Sequence, residues 1–221
     1  MTSNSEDDRF AAERQRMVDS QLYARGLRDE RVLEAMNRVP RHEFVAERDR
    51  GQAYEDHPLP IGKNQTISQP YIVGLTLESL CLHPSDTVLE VGTGSGYQTA
   101  LLSELAQHVY SIERYELLAR EAAAILSRLG YKNATVLVGD GSTGLPERQP
   151  FDAVVVSAAA PQIPQPLFQQ LREGGRLVVP VGFPRSQELQ LVRKQEGSPV
   201  ITSLGGCAFV PLIGEKGQFP G

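Results

Sequence analysis

Apolar and polar positions follow two alternating patterns along the middle of the chain. Five short runs of aliphatic and β-branched residues predict strands, at 87–91, 109–112, 134–138, 153–156 and 176–181. Segments with the spacing of amphipathic helices lie between them, at 97–106, 115–129 and 165–171. Strands that are apolar throughout are typical of sheets covered by helices on both faces. We therefore expect an α/β fold with a doubly wound, mostly parallel sheet.

The N-terminal third lacks this alternation. Helices are predicted from about Phe10 to a break at Gly26, and again over 29–37. The segment 47–69 then contains many turn-forming residues and little periodicity, so we expect an irregular segment of the kind that often carries function. A further helix is predicted to begin at Pro70, because proline fits the first position of a helix.

The C-terminal part has two apolar stretches, 189–194 and 200–213, with no helix between them. They predict an antiparallel pair at one edge of the sheet. We expect one domain over 1–221. Its expected parts are a flexible tail (1–8), a helical appendage with a substrate loop (9–69), a cofactor-binding core (70–182), and C-terminal strands with a tail (183–221).

The composition shows no strong charge bias. The 221 residues include 22 Lys plus Arg and 27 Asp plus Glu, for a net charge of −5, with no basic block. Binding to a nucleic-acid backbone needs such a block, so we expect no nucleic-acid partner. The longest apolar stretch, 153–160, is far shorter than the roughly 20 residues of a membrane-spanning helix. Since the first residues are also polar and acidic, we expect no membrane partner and a cytoplasmic location.

Residue types that often bind metals are sparse. Cys81 and Cys207 lie far apart among apolar neighbours, so we expect buried free thiols and no disulfide. The four histidines are scattered without the spacing of metal ligands, so we expect no metal site.

A glycine cluster follows the first strand of the predicted sheet and opens a helix. It reads EVGTGSGY over 90–97, and it therefore lies where open α/β sheets bind ligands. Tyr97 stands where the GxGxxG fingerprint of dinucleotide sites has its third glycine, which argues against NAD. The chain also contains no GxxxxGK[ST] phosphate loop, which argues against a nucleoside triphosphate. The candidate ligand-binding residues of this cluster are Gly92, Gly94 and Ser95.

Acidic residues lie at the ends of three successive predicted strands, at Glu90, Glu113 and Asp140. Taken singly, Glu113 could be a helix N-terminal acid and Asp140 a turn former. Taken in order beside a glycine loop, and without a phosphate cradle, they indicate a ribonucleoside with a positively charged tail. S-adenosylmethionine fits this description, with Gly141 next to Asp140 in the same site.

A second candidate segment, LPIGKNQTISQP, covers 59–70. It brings the hydroxyls of Thr66 and Ser68 and several backbone amides to a helix N-terminus, which suits an anion such as a carboxylate. The alternative is that Ser68 or Gln69 only caps the helix that begins at Pro70.

The sequence resembles the protein-L-isoaspartate O-methyltransferase family over about 17–217. The segment QTISQP at 65–70 is the specific part, because the glycine cluster alone indicates only a methyltransferase. Further matching motifs are RVPRHEF at 38–44, LPIG at 59–62, GDG at 139–141, QLREGGRL at 170–177 and FVPL at 209–212. The resemblance implies a Rossmann-like, S-adenosylmethionine-dependent methyltransferase fold with a seven-stranded sheet, an N-terminal helical appendage and an antiparallel C-terminal edge.

The resemblance also assigns roles to individual residues. It implies that Ser68 is the active-site serine and that Gln65, Thr66 and Ile67 lie beside the cofactor. In the family the C-terminal tail folds back near the cofactor, which would bring Gln218 close. The chain departs from many relatives there, since its last residues are its own and it contains no Trp.

The implied reaction moves a methyl group from S-adenosylmethionine to the free α-carboxylate of an L-isoaspartyl residue, leaving S-adenosylhomocysteine. The expected partners are isoaspartyl-containing proteins and peptides, and we expect a monomer. Thr66 and Ser68 are expected to bind the substrate carboxylate, while Tyr54 and Val210 flank the peptide. Two other functions are left open: a small-molecule carboxyl methyltransferase and a non-catalytic adaptor that keeps the fold.

Overall fold

Helices and turns make up the N-terminal part of the protein. In the computed structural model, which describes residues 3–217, helix α1 (Ser3–Met17) continues through a π-helical turn and a 3₁₀ turn to Gly26, whose φ is 104°. Helix α2 (Glu30–Arg38) is capped by the carboxylate of Asp29. The expected break at Gly26 is confirmed. Helix α1 begins at Ser3, within the segment 1–8 that was expected to be a tail, because extending an existing helix adds a hydrogen bond for each residue that joins it.

The segment predicted to be irregular contains regular structure. Two 3₁₀ helices, Arg41–Phe44 and Glu47–Gln52, precede an antiparallel hairpin of β1 (Leu59–Gly62) and β2 (Gln65–Ile67). Both residues of its turn have left-handed backbones, with φ of 52° at Lys63 and 56° at Asn64. This is the turn that matches the twist of a hairpin. Helix α3 (Pro70–Leu80) follows and begins at the predicted residue.

Seven strands and three further helices form the rest of the protein. The helices are α4 (Tyr97–Leu105), α5 (Glu116–Arg128) and α6 (Gln165–Gln169). The strands are β3 (Thr87–Val91), β4 (His108–Glu113), β5 (Ala134–Val138), β6 (Phe151–Val156), β7 (Leu171–Phe183), β8 (Ser186–Gln195) and β9 (Ser198–Cys207).

The sheet order is β5-β4-β3-β6-β7-β8-β9. Pairing is parallel from β5 to β7 and antiparallel from β7 to β9. The doubly wound, mostly parallel seven-stranded sheet and its antiparallel edge are therefore confirmed. Because β4 and β6 lie on opposite sides of β3, the strand order reverses at the carboxyl end of β3, where α/β sheets bind ligands.

Two boundaries near the C-terminus differ from the sequence prediction. The helix predicted over 165–171 ends at Gln169, and β7 begins at Leu171 rather than at 176. The β6–β7 register shifts between Phe151 and Ala153, which lets the glycine-containing start of β7 join the sheet. Strand β9 ends at Cys207. Beyond it, residues 208–213 contact the sheet through an isolated bridge between Pro211 and Ala159.

Two apolar layers cover the two faces of the sheet. Val88 and Val109 pack with the N-terminal helices, α3 and α4, whereas Leu89 and Val154 pack with α6. Neighbouring residues of a strand point to opposite faces, which explains why these strands are apolar throughout. Among residues 3–217, no helix has the length and apolar character to cross a membrane.

The cysteines are less buried than the sequence predicts. Both are free, as expected, but Cys81 is exposed and Cys207 is only partly buried. Cys81 follows α3 in a left-handed conformation, with φ of 47°, which turns the chain outward at the helix end.

Candidate functional site

A cavity of about 330 Å³ lies at the carboxyl ends of the parallel strands. Three parts of the chain supply most of its lining: the hairpin and the start of α3, the glycine loop after β3, and residues 206–213 after β9. Residues at the ends of β4, β5 and β6 complete it. The first and last parts form the walls around the glycine loop. The site therefore lies at the point where the strand order reverses.

The glycine loop turns sharply between β3 and α4. Gly94 and Gly96 have φ of 54° and 88°, a left-handed backbone that glycine adopts without a Cβ penalty. Gly92, Gly94 and Ser95 all line the cavity. The N–H of Gly94 donates a hydrogen bond of 2.9 Å to Glu113, which fixes the loop to the end of β4.

Glu113 reaches the cavity from the end of β4. Its side chain is largely buried, and its other carboxylate oxygen accepts a hydrogen bond of 2.9 Å from the N–H of Tyr115. A carboxylate offers about four acceptor positions, so each oxygen can accept one further hydrogen bond. This arrangement suits a ligand with neighbouring hydroxyl groups.

The loop after β5 contributes Gly141 to the cavity, but Asp140 does not line it. The Asp140 carboxylate accepts hydrogen bonds from Ser142 and from the N–H of Glu215. Burial alone raises the pKa of Asp140, but these hydrogen bonds outweigh burial, and the pKa lies below its usual value. Asp140 therefore holds the segment after residue 213 against this loop, a contact not foreseen from the sequence.

Glu90 also lies outside the cavity lining, against the sequence prediction. Its carboxylate is fully buried beneath the glycine loop and accepts hydrogen bonds from Gln98, Thr99 and Ser111. Burial raises the pKa of Glu90 to about 7, and the three hydrogen bonds oppose this shift only in part. The inward position follows from its place on β3, where it lies between β4 and β6.

Gln98 links this buried carboxylate to the cavity. Its side-chain amide donates to Glu90 and to the hydroxyl of Ser157, and both Gln98 and Ser157 line the cavity. Neither residue was expected from the sequence. Gln98 follows the glycine motif by two residues, and this proximity was the signal that could have identified it.

The hairpin brings Gln65, Thr66, Ile67 and Ser68 to the cavity, as the sequence predicts for this segment. Among residues 3–217, the Ser68 hydroxyl has no hydrogen-bond partner. The α3 N-terminus is capped by Asp56 instead, whose carboxylate accepts from the N–H of Tyr71 and from Gln69. The interpretation of Ser68 as only a helix cap is therefore wrong.

The two residues expected to flank a peptide are placed differently. Val210 lines the cavity. Tyr54 does not, because only 5% of it is exposed and its hydroxyl binds His42 and Arg14 inside the N-terminal region. Tyr54 is therefore a core residue. Gln218 lies outside the described residues.

The cavity combines features that fit one elongated ligand and one anionic group. Glu113 can accept from hydroxyls, the glycine loop permits close approach, and Val91, Ile112 and Leu212 add apolar surface. Ser68, whose hydroxyl has no hydrogen-bond partner among the described residues, lines the same cavity. Such a site can hold a nucleoside-like donor and a second substrate side by side.

The sequence matches known proteins along almost its whole length. A sequence model of the protein-L-isoaspartate(D-aspartate) O-methyltransferase (PCMT) family matches residues 12–217. The protein-L-isoaspartate O-methyltransferase of Koribacter versatilis (strain Ellin345) is 56% identical over 211 residues, which are 96% of this chain and 95% of that protein.

Solved structures give the same result. A protein-L-isoaspartate O-methyltransferase aligns with a TM-score of 0.83 and 30% identity, covering 92% of this chain and 67% of that one. A Plasmodium falciparum protein of the same description, solved with S-adenosyl-L-homocysteine, aligns with a TM-score of 0.80 and 26% identity, covering 90% and 98%. The resemblance seen in the sequence motifs is confirmed, and this chain belongs to the protein-L-isoaspartate O-methyltransferase family.

Proposed function

We propose that this chain acts in protein repair by methylating the free α-carboxylate of L-isoaspartyl residues, with S-adenosylmethionine as the methyl donor. The observation that carries the proposal is the juxtaposition of the hairpin residues 65–68 and the glycine loop in one cavity. The methyl ester closes spontaneously to a succinimide when the neighbouring backbone nitrogen attacks the ester carbonyl, loses its proton and displaces methanol. Hydrolysis of the succinimide returns part of the material to L-aspartate.

The residues of the cavity fit S-adenosylmethionine. Glu113 would hold the ribose hydroxyls, and Gly92, Gly94 and Ser95 would lie against the methionine part. Gly141, which lines the cavity, would lie beside the adenine. It also packs closely on Val91, since a Cβ at position 141 would lie 2.5 Å from the Val91 side chain and would clash. The bound donor supplies a methyl group attached to a positively charged sulfur.

The chain's own residues need to orient and shield the acceptor rather than to activate it. A carboxylic acid with a pKa near 4 is ionised at neutral pH, so no strong base is required. The Ser68 hydroxyl would donate a hydrogen bond to one carboxylate oxygen and aim the other at the methyl group. The hairpin and residues 208–212 would exclude water from around the acceptor carboxylate and the positively charged sulfur of the donor. The attraction between these two charges is stronger where water is excluded.

The substrate class can be tested with two peptides that differ only in an L-isoaspartyl or L-aspartyl linkage. Each is incubated with the purified protein and methyl-labelled S-adenosylmethionine, and base-labile label is counted. Label on the isoaspartyl peptide alone is the expected result. Labelling of neither peptide, with S-adenosylhomocysteine still bound, would contradict the proposal and favour an adaptor.

Replacement of Ser68 by Ala tests the role of its hydroxyl. A hydrogen bond to a charged group contributes about 1.5–3 kcal/mol, so kcat/KM for the isoaspartyl peptide should fall by roughly 10- to 100-fold. The Kd for S-adenosylhomocysteine should stay close to the wild-type value. Ser79→Ala is the matched control, because the Ser79 hydroxyl binds only the Leu75 carbonyl within α3. Equal losses in turnover and cofactor affinity would argue against an orienting role.

We also propose that the protein is a monomer in the cytoplasm and forms one domain. Two free thiols support a reducing compartment, since extracellular proteins more often pair their cysteines. Light scattering of the purified protein tests the monomer, and a mass twice that of the 24.2 kDa chain would contradict it.

A further inference from the structure

Arg41 is a charged residue with no exposed surface, and the reaction described above does not use it. It lies in the 3₁₀ helix Arg41–Phe44, directly after Pro40, with its guanidinium in the core behind the cavity. Burying a charge is costly unless the surroundings compensate for it. The contacts of this side chain therefore indicate what it stabilises.

The guanidinium joins the two ends of the segment that forms the substrate wall. Its Nε donates a hydrogen bond of 2.7 Å to the carbonyl of Ala53, and its Nη2 donates one of 2.8 Å to the carbonyl of Ser68. The hairpin β1–β2 lies between these two residues. One side chain therefore fixes both the beginning of the wall and the backbone of the serine at its end.

The same group contacts the cofactor side of the site. Its central carbon lies 4.8 Å from the ring centre of Tyr97, the first residue of α4 and a residue of the cavity lining. A cation over an aromatic face is attracted to it. Arg41 therefore contacts both the backbone of Ser68, on the acceptor side of the site, and Tyr97, at the end of the glycine loop.

Only arginine combines these contacts. Its planar fork donates in several fixed directions and stacks on a ring, whereas lysine is a single flexible point charge. Burial lowers the pKa of Arg41 to about 10, which still leaves the guanidinium charged at neutral pH.

We propose that Arg41 is a positioning residue for methyl transfer, which holds the backbone of Ser68 and thereby sets the direction in which the Ser68 hydroxyl points. The proposal rests on the function given above, because it assigns Ser68 to the acceptor. Arg41 itself contacts neither substrate nor cofactor.

The test uses the full-length variant Arg41→Lys, which keeps the charge but cannot bridge both carbonyls. The expected result is a fall of about 10-fold or more in kcat/KM for the isoaspartyl peptide, with the Kd for S-adenosylhomocysteine changed by less than about threefold. Arg176→Lys is the matched control. The Arg176 guanidinium also bridges a backbone carbonyl, that of Leu80, and a second acceptor, Asp86, but it lies at the opposite end of the sheet.

A double variant separates positioning from general stability. If Arg41 acts through Ser68, then Arg41→Lys/Ser68→Ala should be about as active as Ser68→Ala alone, because the second change has no oriented hydroxyl left to disturb. If Arg41 had a purely structural role, the activity loss of the double variant would be the product of the losses of the two single variants. Thermal melting of every variant shows what fraction is folded at the assay temperature.

Each outcome decides one proposal. Wild-type activity in folded Arg41→Lys, or multiplied losses in the double variant, overturns the positioning role and leaves the proposed function intact. Equal activity losses in Arg41→Lys and Arg176→Lys also overturn it. Absence of isoaspartyl methylation by the wild-type protein in the same assay would instead contradict the proposed function.

Discussion

Glu90 shows how a single buried carboxyl can organise a ligand site without lining it. Its oxygens accept from Thr99 and Ser111, and through Gln98 it is linked to Ser157 at the cavity. Ser111 is in turn hydrogen-bonded to Thr93 in the glycine loop. The carboxyl therefore joins β3, β4 and α4 beneath the loop. Replacing Glu90 should thus change the free energy of unfolding more directly than it changes ligand binding.

The ionisation of Glu90 should make the wild-type protein less stable as the pH rises. Burial places its pKa at about 7 in the folded state, above the ordinary value of 4.5. The stabilising contribution of such a group is complete below about pH 4.5 and is lost as the pH rises through about 7. Between pH 5 and pH 8 the loss is about 2 kcal/mol, and Glu90→Gln should remove it.

The measurement is urea unfolding of both proteins at pH 5 and pH 8. Other groups titrate in this window, including His108, but they are common to both proteins and cancel in the comparison. The wild-type protein should lose more stability over the interval than Glu90→Gln. Equal losses would mean that Glu90 does not titrate in this range.

Residue roles could be predicted where chain order alone places a group at a strand end. Glu113 ends β4 and Gly141 follows β5, and both line the cavity, as expected. Asp140 and Glu90 were predicted by the same reasoning, yet neither lines the cavity, because other parts of the protein bind their carboxylates. The Asp140 carboxylate accepts from Ser142 and Glu215, and the Glu90 carboxylate accepts from Gln98, Thr99 and Ser111. The environment of Tyr54 likewise depends on α1 and on His42, and no local pattern indicates that contact.

At the scale of elements, the glycine loop depends on close packing between the start of α4 and the middle of α5. A Cβ on Gly96 would lie 3.1 Å from the Cβ of Ala122 in α5. Gly130, just after α5, has the same φ of 88°, but a Cβ there would meet nothing within 4 Å. An alanine at either position would be strained by the left-handed backbone, but only an alanine at position 96 would also press on Ala122. Comparing the two variants therefore separates the cost of the backbone conformation from the cost of the contact with Ala122.

Gly96→Ala should lower both stability and cofactor affinity, whereas Gly130→Ala should lower stability alone. The left-handed backbone costs roughly 1–2 kcal/mol in each variant. The additional contact with Ala122 should shift the loop and weaken binding of S-adenosylhomocysteine. Urea unfolding and calorimetric titration provide the two readouts, and unchanged affinity in Gly96→Ala would show that the loop tolerates the shift.

Elements with strong local patterns could be predicted, and elements formed by long-range packing could not. The bounds of β3 and β5 match the predicted 87–91 and 134–138, because continuous apolar runs between turn residues allow little else. The hairpin β1–β2 was missed, since Pro60, Gly62 and Asn64 are typical of loops. Arg41, which lies outside the segment, binds the backbone on either side of the hairpin, at Ala53 and Ser68.

At the scale of the whole molecule, the cavity couples ligand binding to global stability. S-adenosylhomocysteine at about 100 times its Kd should stabilise the folded state by about 2.7 kcal/mol. For a chain of this length the Tm should rise by roughly 5–10 °C. NADH should leave the Tm unchanged, because the site lacks the dinucleotide fingerprint. A rise with NADH and none with S-adenosylhomocysteine would contradict the assignment of the cofactor.

The fold class was predictable from the alternation of strands and helices, and the family from the short motifs. The enclosure of the site was predicted only in part. The resemblance placed Val210 near Thr66 and Ser68, as observed, but no local sequence pattern shows that the hairpin and residues 206–213 form its walls together. The contact of Asp140 with Glu215 closes the same region from the far end of the described chain.

This placement of the walls has a consequence for biosynthesis. A ribosome completes the hairpin and the glycine loop early, but the second wall follows β9 and emerges after all seven strands of the sheet. The catalytic chamber therefore cannot assemble until residues 206–213 have left the ribosome. An incomplete chain can pair its first parallel strands, yet it lacks the surface that would enclose a damaged peptide.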